Sequence, residues 1–385
     1  MAGRKGKSER RIKDWQQRYT AAPSEQFEPP EASRQRFSRK AVKLPPRELA
    51  VGAEELNELP RSEGLVLGHY PGGTIVRVGG EVNGDDLLCG IAGTFRAPEG
   101  SSPLAVGDVV TVALKLSAPR ADGTALDKDR ADGMILERQP RRTMLARPEP
   151  RSAKRNDPYD TETFEKVIVA NMDVLLIAAA TVSPPLRHGL IDRFLIIAER
   201  GGLRPVLVIN KLDLARPDET LLSEFQEMGL EIVLCSAITG EGLDDLTQRL
   251  AGLKSVLAGA SGVGKTTLIN ALVPGTDAAT RTVRVKDDRG RHTTSSTVIY
   301  QLPGGGCLVD TPGVRELGLR LRVNELPWYF PEFKTPSAEC KFRDCTHTHE
   351  PDCGVIRGVE AGDILPRRYE SYVNLLETLE ERKRP

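Results

Sequence analysis

No apolar run in this 385-residue chain is long enough to cross a bilayer, which excludes a transmembrane helix. The N-terminus has no apolar signal-peptide core; it is basic and polar. Net charge is absent too, since 54 basic residues balance 54 acidic ones. Cysteine is scarce, at six, and unevenly spread: Cys89, Cys235 and Cys307 are scattered, whereas Cys340, Cys345 and Cys353 crowd together. That distribution argues against a disulfide framework, suits metal binding and points to a reducing cytoplasm. No repeat of solenoid period is present. The zero net charge hides one asymmetry, because residues 1–50 carry thirteen Lys and Arg against six Asp and Glu. Such a segment suits a polyanion such as RNA, and it equally suits a solubilising tail.

What is present is a set of nucleotide-binding signatures in an unusual order. Asn210-Lys211-Leu212-Asp213 comes first, Gly259-Ala260-Ser261-Gly262-Val263-Gly264-Lys265-Thr266 follows, and Asp310-Thr311-Pro312-Gly313 comes last. The second matches G-x-x-x-x-G-K-[ST], between an apolar strand (Ser255–Ala258) and a helix start (Thr266–Leu272). Its glycines let the backbone wrap phosphates, and the helix N-terminus favours anions. Lys265 is expected at the β- and γ-phosphates, Thr266 at Mg²⁺, and Thr267 in the same phosphate-binding turn. A phosphate loop does not choose between ATP and GTP. The Asp213 carboxylate does, because guanine offers it two N–H donors that adenine lacks. The Lys211 stem can cover the base, and Ser236-Ala237 fits an auxiliary loop whose backbone N–H meets guanine O6. In an ordinary GTPase the phosphate loop precedes the guanine reader; one cyclic shift restores that order here, so the domain reads as circularly permuted.

Asp310 is expected to hold Mg²⁺ through water and the Gly313 N–H to sense the γ-phosphate. The next residue is Val314, which cannot orient water. The hydrolytic group must come from elsewhere, and Gly290-Arg291-His292-Thr293-Thr294 lies where a switch loop belongs. His292 is the candidate to position water, and Thr293 or Thr294 to reach Mg²⁺, with Thr294 taken as the ligand.

Composition divides the chain into five parts: a basic extension over 1–61, a barrel over 62–140, a linker over 141–164, the nucleotide domain over 165–322 and a C-terminal unit over 323–385. Short strands between Gly turns, such as Thr74–Val78 and Gly107–Leu114, indicate a small all-β barrel. An oligonucleotide-binding (OB) barrel or another five-stranded barrel would fit. From residue 165, strands alternate with helices as in a doubly wound α/β domain. In the C-terminal unit, Cys340-x₄-Cys345-x-His347-x₅-Cys353 offers three thiolates and an imidazole, a closed set for one structural Zn²⁺. His349 is a rival ligand. Arg367 and Arg368 lie beside an expected amphipathic helix, Tyr369–Glu381.

The permuted order, Gly290–Thr294 and the block Cys340–Pro351 together resemble the RsgA/YjeQ family of circularly permuted GTPases. The resemblance runs from about residue 62 to the C-terminus and excludes the basic extension. It implies an OB barrel, a permuted α/β P-loop GTPase domain and a C-terminal zinc-binding helical domain. It further implies a cytoplasmic, membrane-free, monomeric protein that binds GTP and GDP, the 30S ribosomal subunit and its 16S rRNA. Late subunit maturation would be assisted, with subunit-stimulated hydrolysis linked to release. His292 occupies the position of the family's proposed catalytic histidine. Two other readings stand beside this one: a GTP-controlled binding module, and a P-loop ATPase or kinase, against which Asn210–Asp213 argues.

Overall fold

The structure is a computed structural model and describes residues 58–70, 73–80, 84–96, 103–114, 132–148, 165–275, 297–310, 319 and 321–381. The sequence-predicted residues His292, Thr293, Thr294 and Gly313, and nearly all of the basic extension, lie outside that set. The described chain forms two compact units, which divide between residues 318 and 319.

The first unit opens with β1 (Arg61–Tyr70), β2 (Gly73–Val78), β3 (Asp85–Arg96), β4 (Val109–Leu114) and β5 (Gly133–Arg138). They close into a barrel in the order β1-β2-β3-β5-β4. β3 and β5 run parallel and the other pairs antiparallel, which is the OB arrangement. Alternate residues point inward, so Val66, Val76, Cys89, Val110, Val112 and Ile135 fill its core. The stretch 141–164, expected as a linker, contains a further strand: β6 (Met144–Pro148) pairs antiparallel with β7 (Glu165–Ala170). Sequence-distant neighbours supply the partner that a local reading cannot see.

The barrel is tied to this hairpin and beyond. Ala170 donates its N–H to Val106 O at 2.8 Å, and Asn171 Nδ2 donates to Gly107 O at 2.9 Å. The buried Asp108 carboxylate takes both prongs of Arg141, at 2.6 and 2.7 Å, and the Ala105 N–H at 2.7 Å. A buried charge with three donors is satisfied, so the joint tolerates its desolvation.

The nucleotide domain follows as β8 (Val174–Ala180), α1 (His188–Gly201), β9 (Arg204–Asn210), α2 (Glu219–Glu227), β10 (Glu231–Leu234), α3 (Leu243–Leu250), β11 (Lys254–Gly259), α4 (Lys265–Leu272), β12 (Val298–Gln301) and β13 (Cys307–Asp310). The sheet order is β10-β9-β8-β11-β13-β12, parallel except for β12. All seven residues of β8 are buried, as expected of a central parallel strand. The chain winds outward from β8 to β10, then returns to place β11 on the other side of β8. That reversal is a topological switch point, where open α/β sheets bind ligands beyond their strand C-termini. No helix among the described residues is long and apolar enough to cross a membrane.

The second unit contains two 3₁₀ turns (Val323–Tyr329 and Pro331–Phe333), α5 (Lys334–Ser337), α6 (Gly354–Ala361) and α7 (Pro366–Glu381). Its core is aromatic: Phe330, Phe333 and Tyr372 meet with centroids 4.9 to 5.3 Å apart. Arg368, on the sequence an unremarkable surface cation, is buried. It donates to Glu332 at 2.6 Å and covers the Phe330 ring at 4.5 Å.

Candidate functional site: a nucleotide cleft and a Cys/His cluster

The phosphate loop joins β11 to α4 at the switch point, where its glycines meet two geometric demands. Gly259 has φ +144° and Gly264 has φ +91°, both in the positive-φ region that other residues rarely adopt. A Cβ on Gly259 would strike the Ala178 carbonyl, and one on Gly264 would lie 2.5 Å from Asn210 Nδ2. Lys265 is buried, and its Nζ donates to the carbonyls of Gly259 at 2.8 Å and Ala260 at 2.5 Å. The ammonium is thereby held inside the curl of the loop. Thr266 and Thr267 are exposed at the first turn of α4, and Ser261 and Gly262 at the loop tip. Val263 is buried against the sheet core and anchors the loop. Asp310 ends β13, in register with Leu257 of β11.

The guanine-reader candidates converge on the same edge. Asn210 ends β9 and is buried; its Nδ2 donates to Val263 O at 3.0 Å and its Oδ1 accepts from Ala237 N–H at 3.0 Å. One side chain therefore joins the phosphate loop to the Ser236-Ala237 loop. Lys211 holds φ +68°, a left-handed backbone forced on a branched-free side chain, and its Nζ donates to Ser183 O at 2.5 Å. Asp213 is exposed, and the buried Ser236 hydroxyl donates to its Oδ1 at 2.5 Å. The Thr239 N–H donates to Ser236 Oγ at 3.2 Å, which orients that hydroxyl. The sequence offers Asn210-Lys211-Leu212-Asp213 and Ser236-Ala237 as guanine-reader candidates; the structure adds the ties of Asn210 to Val263 and Ala237, of Ser236 to Asp213, and of Lys211 to the Ser183 carbonyl, which no motif signals.

In the second unit, Cys340, Cys345, His347 and Cys353 bring one donor atom each within 4.8 Å of one another. Cys340 Sγ lies 3.9 Å from Cys353 Sγ, and His347 Nδ1 lies 3.5 and 3.6 Å from those two sulfurs. A tetrahedral Zn²⁺ needs S···S edges of about 3.8 Å and S···N edges of about 3.5 Å. The donors fit the ion. His347 turns Nδ1 inward while Nε2 faces Ser337 Oγ at 3.4 Å. His349 is not in the cluster; its Nδ1 lies 2.8 Å from Thr348 Oγ1. Cys353 caps α6, and the Gly354 N–H donates to Cys340 Sγ at 3.3 Å. A hydrogen bond with Cys345 lowers the pKa of the Cys353 thiol from its ordinary value, with His347 assisting.

Glu350, which sequence reasoning did not single out, sits under this loop. Burial pushes its carboxyl up, but hydrogen bonds from Thr346 and neighbouring backbone N–H groups outweigh that and hold its pKa at about 2.

Comparison with known proteins agrees with this geometry. Residues 138–320 match the family model described as RsgA GTPase. A Small ribosomal subunit biogenesis GTPase RsgA from Gemmatimonas aurantiaca is 44% identical over 218 residues, covering 56% of this chain and 71% of that protein. The protein of the same name from Chlorobaculum tepidum is 40% identical over 294 residues, covering 76% and 90%. The crystal structure of YjeQ from Thermotoga maritima superposes with a TM-score of 0.60 at 32% identity, over 83% of this chain and 99% of that one. With its permuted motif order, its P-loop at the switch point and these relatives, the chain belongs to the RsgA GTPase family.

Proposed function

We propose that this protein binds the 30S ribosomal subunit through 16S rRNA and assists its late maturation in the cytoplasm, as a monomer, with hydrolysis of GTP stimulated by the subunit and linked to release. The observation that carries this reading is the identity with proteins named Small ribosomal subunit biogenesis GTPase, which at 40% extends over 90% of one of them.

The residue roles are read from the motif order together with the cleft geometry, and those of Thr294, Gly313 and His292 from the sequence alone. Gly259 to Thr266 surround the phosphates, and Lys265 exchanges its two loop carbonyls for phosphate oxygens. Thr266 and Asp310 hold Mg²⁺ with Thr294, and Thr267 extends the phosphate turn. Asp213 reads the guanine N–H edge, held by Ser236; Lys211 covers the base; the Ala237 loop meets O6. Gly313 senses the γ-phosphate and His292 positions water. Cys340, Cys345, His347 and Cys353 hold one structural Zn²⁺, which supplies rigidity and no open coordination position.

The test is GTP hydrolysis with and without purified 30S subunits. Turnover should rise with added subunits and fall back with 50S subunits alone. A rate indifferent to 30S subunits would reduce the protein to a GTP-controlled binding module.

A further inference from the structure

The loop Thr346-His347-Thr348-His349-Glu350 closes on its own last side chain. Glu350 Oε1 accepts from Thr346 N–H at 2.7 Å and from Thr346 Oγ1 at 2.6 Å. Glu350 Oε2 accepts from Thr348 N–H at 3.1 Å and His349 N–H at 3.2 Å. Both carboxylate oxygens are thus occupied by the loop, so Glu350 is not itself a donor to the cluster. Two carbonyls of the same loop are taken as well. Tyr372 donates its hydroxyl to Thr346 O at 2.8 Å, and Tyr369 donates to His347 O at 2.9 Å.

The arrangement fixes peptide planes on both sides of His347, whose backbone stands at φ +57°. Residues other than glycine adopt positive φ uncommonly, and surrounding hydrogen bonds fix it here. It directs the ring so that Nδ1 faces two sulfurs and the ring stands nearly perpendicular to Phe333, with centroids 5.9 Å apart. A carboxylate ringed by successive N–H groups is an anion in a backbone nest, supplied by the chain itself.

We infer that Glu350 is a positioning residue for the Cys₃His cluster, holding the His347 loop in its metal-binding conformation through four hydrogen bonds while the phenols of α7 hold it from the opposite side. The inference rests on the metal reading of the four donors. Its physical content is preorganisation: a loop already set in the ligating conformation loses less freedom when the ion binds, and the ion leaves less readily.

The experiment uses the full chain. Zn²⁺ release to a chromogenic chelator is followed for the parent and for Glu350→Gln, with Co²⁺ substitution to read the thiolate charge-transfer and tetrahedral d–d bands. The amide retains one acceptor and turns an NH₂ toward N–H donors, so the loop loses half its clamp. Glu350→Gln should still bind one ion with the same band pattern, yet bind it about 10- to 100-fold more weakly, the range for support of metal ligands. GTP affinity should not move. A Glu350→Gln chain that holds Zn²⁺ as tightly as the parent overturns the inference. Thr346→Val, which removes the hydroxyl contacts to Glu350 and Thr348 but keeps the Thr346 N–H bond, should give a smaller shift in the same direction; if Glu350→Gln does not fold, parent-like metal affinity in Thr346→Val overturns the inference instead. A parent that binds neither Zn²⁺ nor Co²⁺ overturns the metal reading, and with it this one.

Discussion

The nucleotide cleft and the Cys/His cluster are each held together by one polar side chain, Asn210 in the first and Glu350 in the second. What lies beneath them differs. Asn210 stands at the end of a six-stranded sheet whose strands β8, β9 and β11 are almost wholly buried. Glu350 stands on a loop backed by three aromatic rings and a few helical turns. A site on a sheet is present before its ligand arrives, because the hydrophobic core has already set the strand ends. A site on loops shares its folding with its ligand, because too little apolar surface is buried to hold the loops alone.

The sharpest way to break this contrast is to remove the metal. Chelation, or Cys345→Ser, should disorder the C-terminal unit, at a cost comparable to the ~10 kcal/mol or more by which structural Zn²⁺ sites are bound. Near-ultraviolet circular dichroism would report it through Phe330, Phe333 and Tyr372. GTP binding should survive; its loss would show that the two sites are not energetically separate.

Asn210→Ala attacks the sheet-borne site at its tie. One buried and one part-buried hydrogen bond disappear and leave Val263 O and Ala237 N–H to find other partners, costing about 2 to 4 kcal/mol. Affinity for GTP and for GDP should fall together, by calorimetric titration, while zinc content stays at one per chain. Asp213→Asn is gentler on the fold because the side chain is exposed. Its amide should shift preference from GTP to XTP; equal titration curves for GTP in mutant and parent would sink the guanine-reading role. The smallest effect is expected from His349→Ala. Its ring lies outside the donor cluster, so metal content should be unchanged, and a zinc-free variant would make His349 the ligand in place of His347.

The sequence displays the contrast unevenly. β8 and β9 are legible because Val174–Ala180 and Arg204–Asn210 are near-continuous apolar runs, and the phosphate loop because its glycines, lysine and threonine stand at fixed spacing. The Cys/His donors are legible for the same reason. β5 is obscured by the buried Arg138, a charge at an inward position. β6 is obscured by Arg147 and Pro148, and by a partner, β7, that is remote in sequence. Arg368 reads as surface until Glu332 and Phe330 are brought to it by the fold. Glu350 is invisible because its partners are mostly backbone N–H groups, which every residue carries. Residue types reveal chemistry that needs particular side chains; they do not reveal who is held by the main chain.

The sheet order has a consequence for the nascent chain. Translation delivers β8, β9 and β10 first, and these can pair at once. The other edge of β8 must wait for β11, since Val174–Ala178 pair with Ser255–Gly259. Until β11 has left the exit tunnel, the emerging half-sheet therefore carries a bare, wholly apolar edge of the kind that invites mispairing. The strand that covers it is the one that leads into the phosphate loop. Shielding of the aggregation-prone edge and delivery of the phosphate loop are therefore a single event in the life of each new molecule.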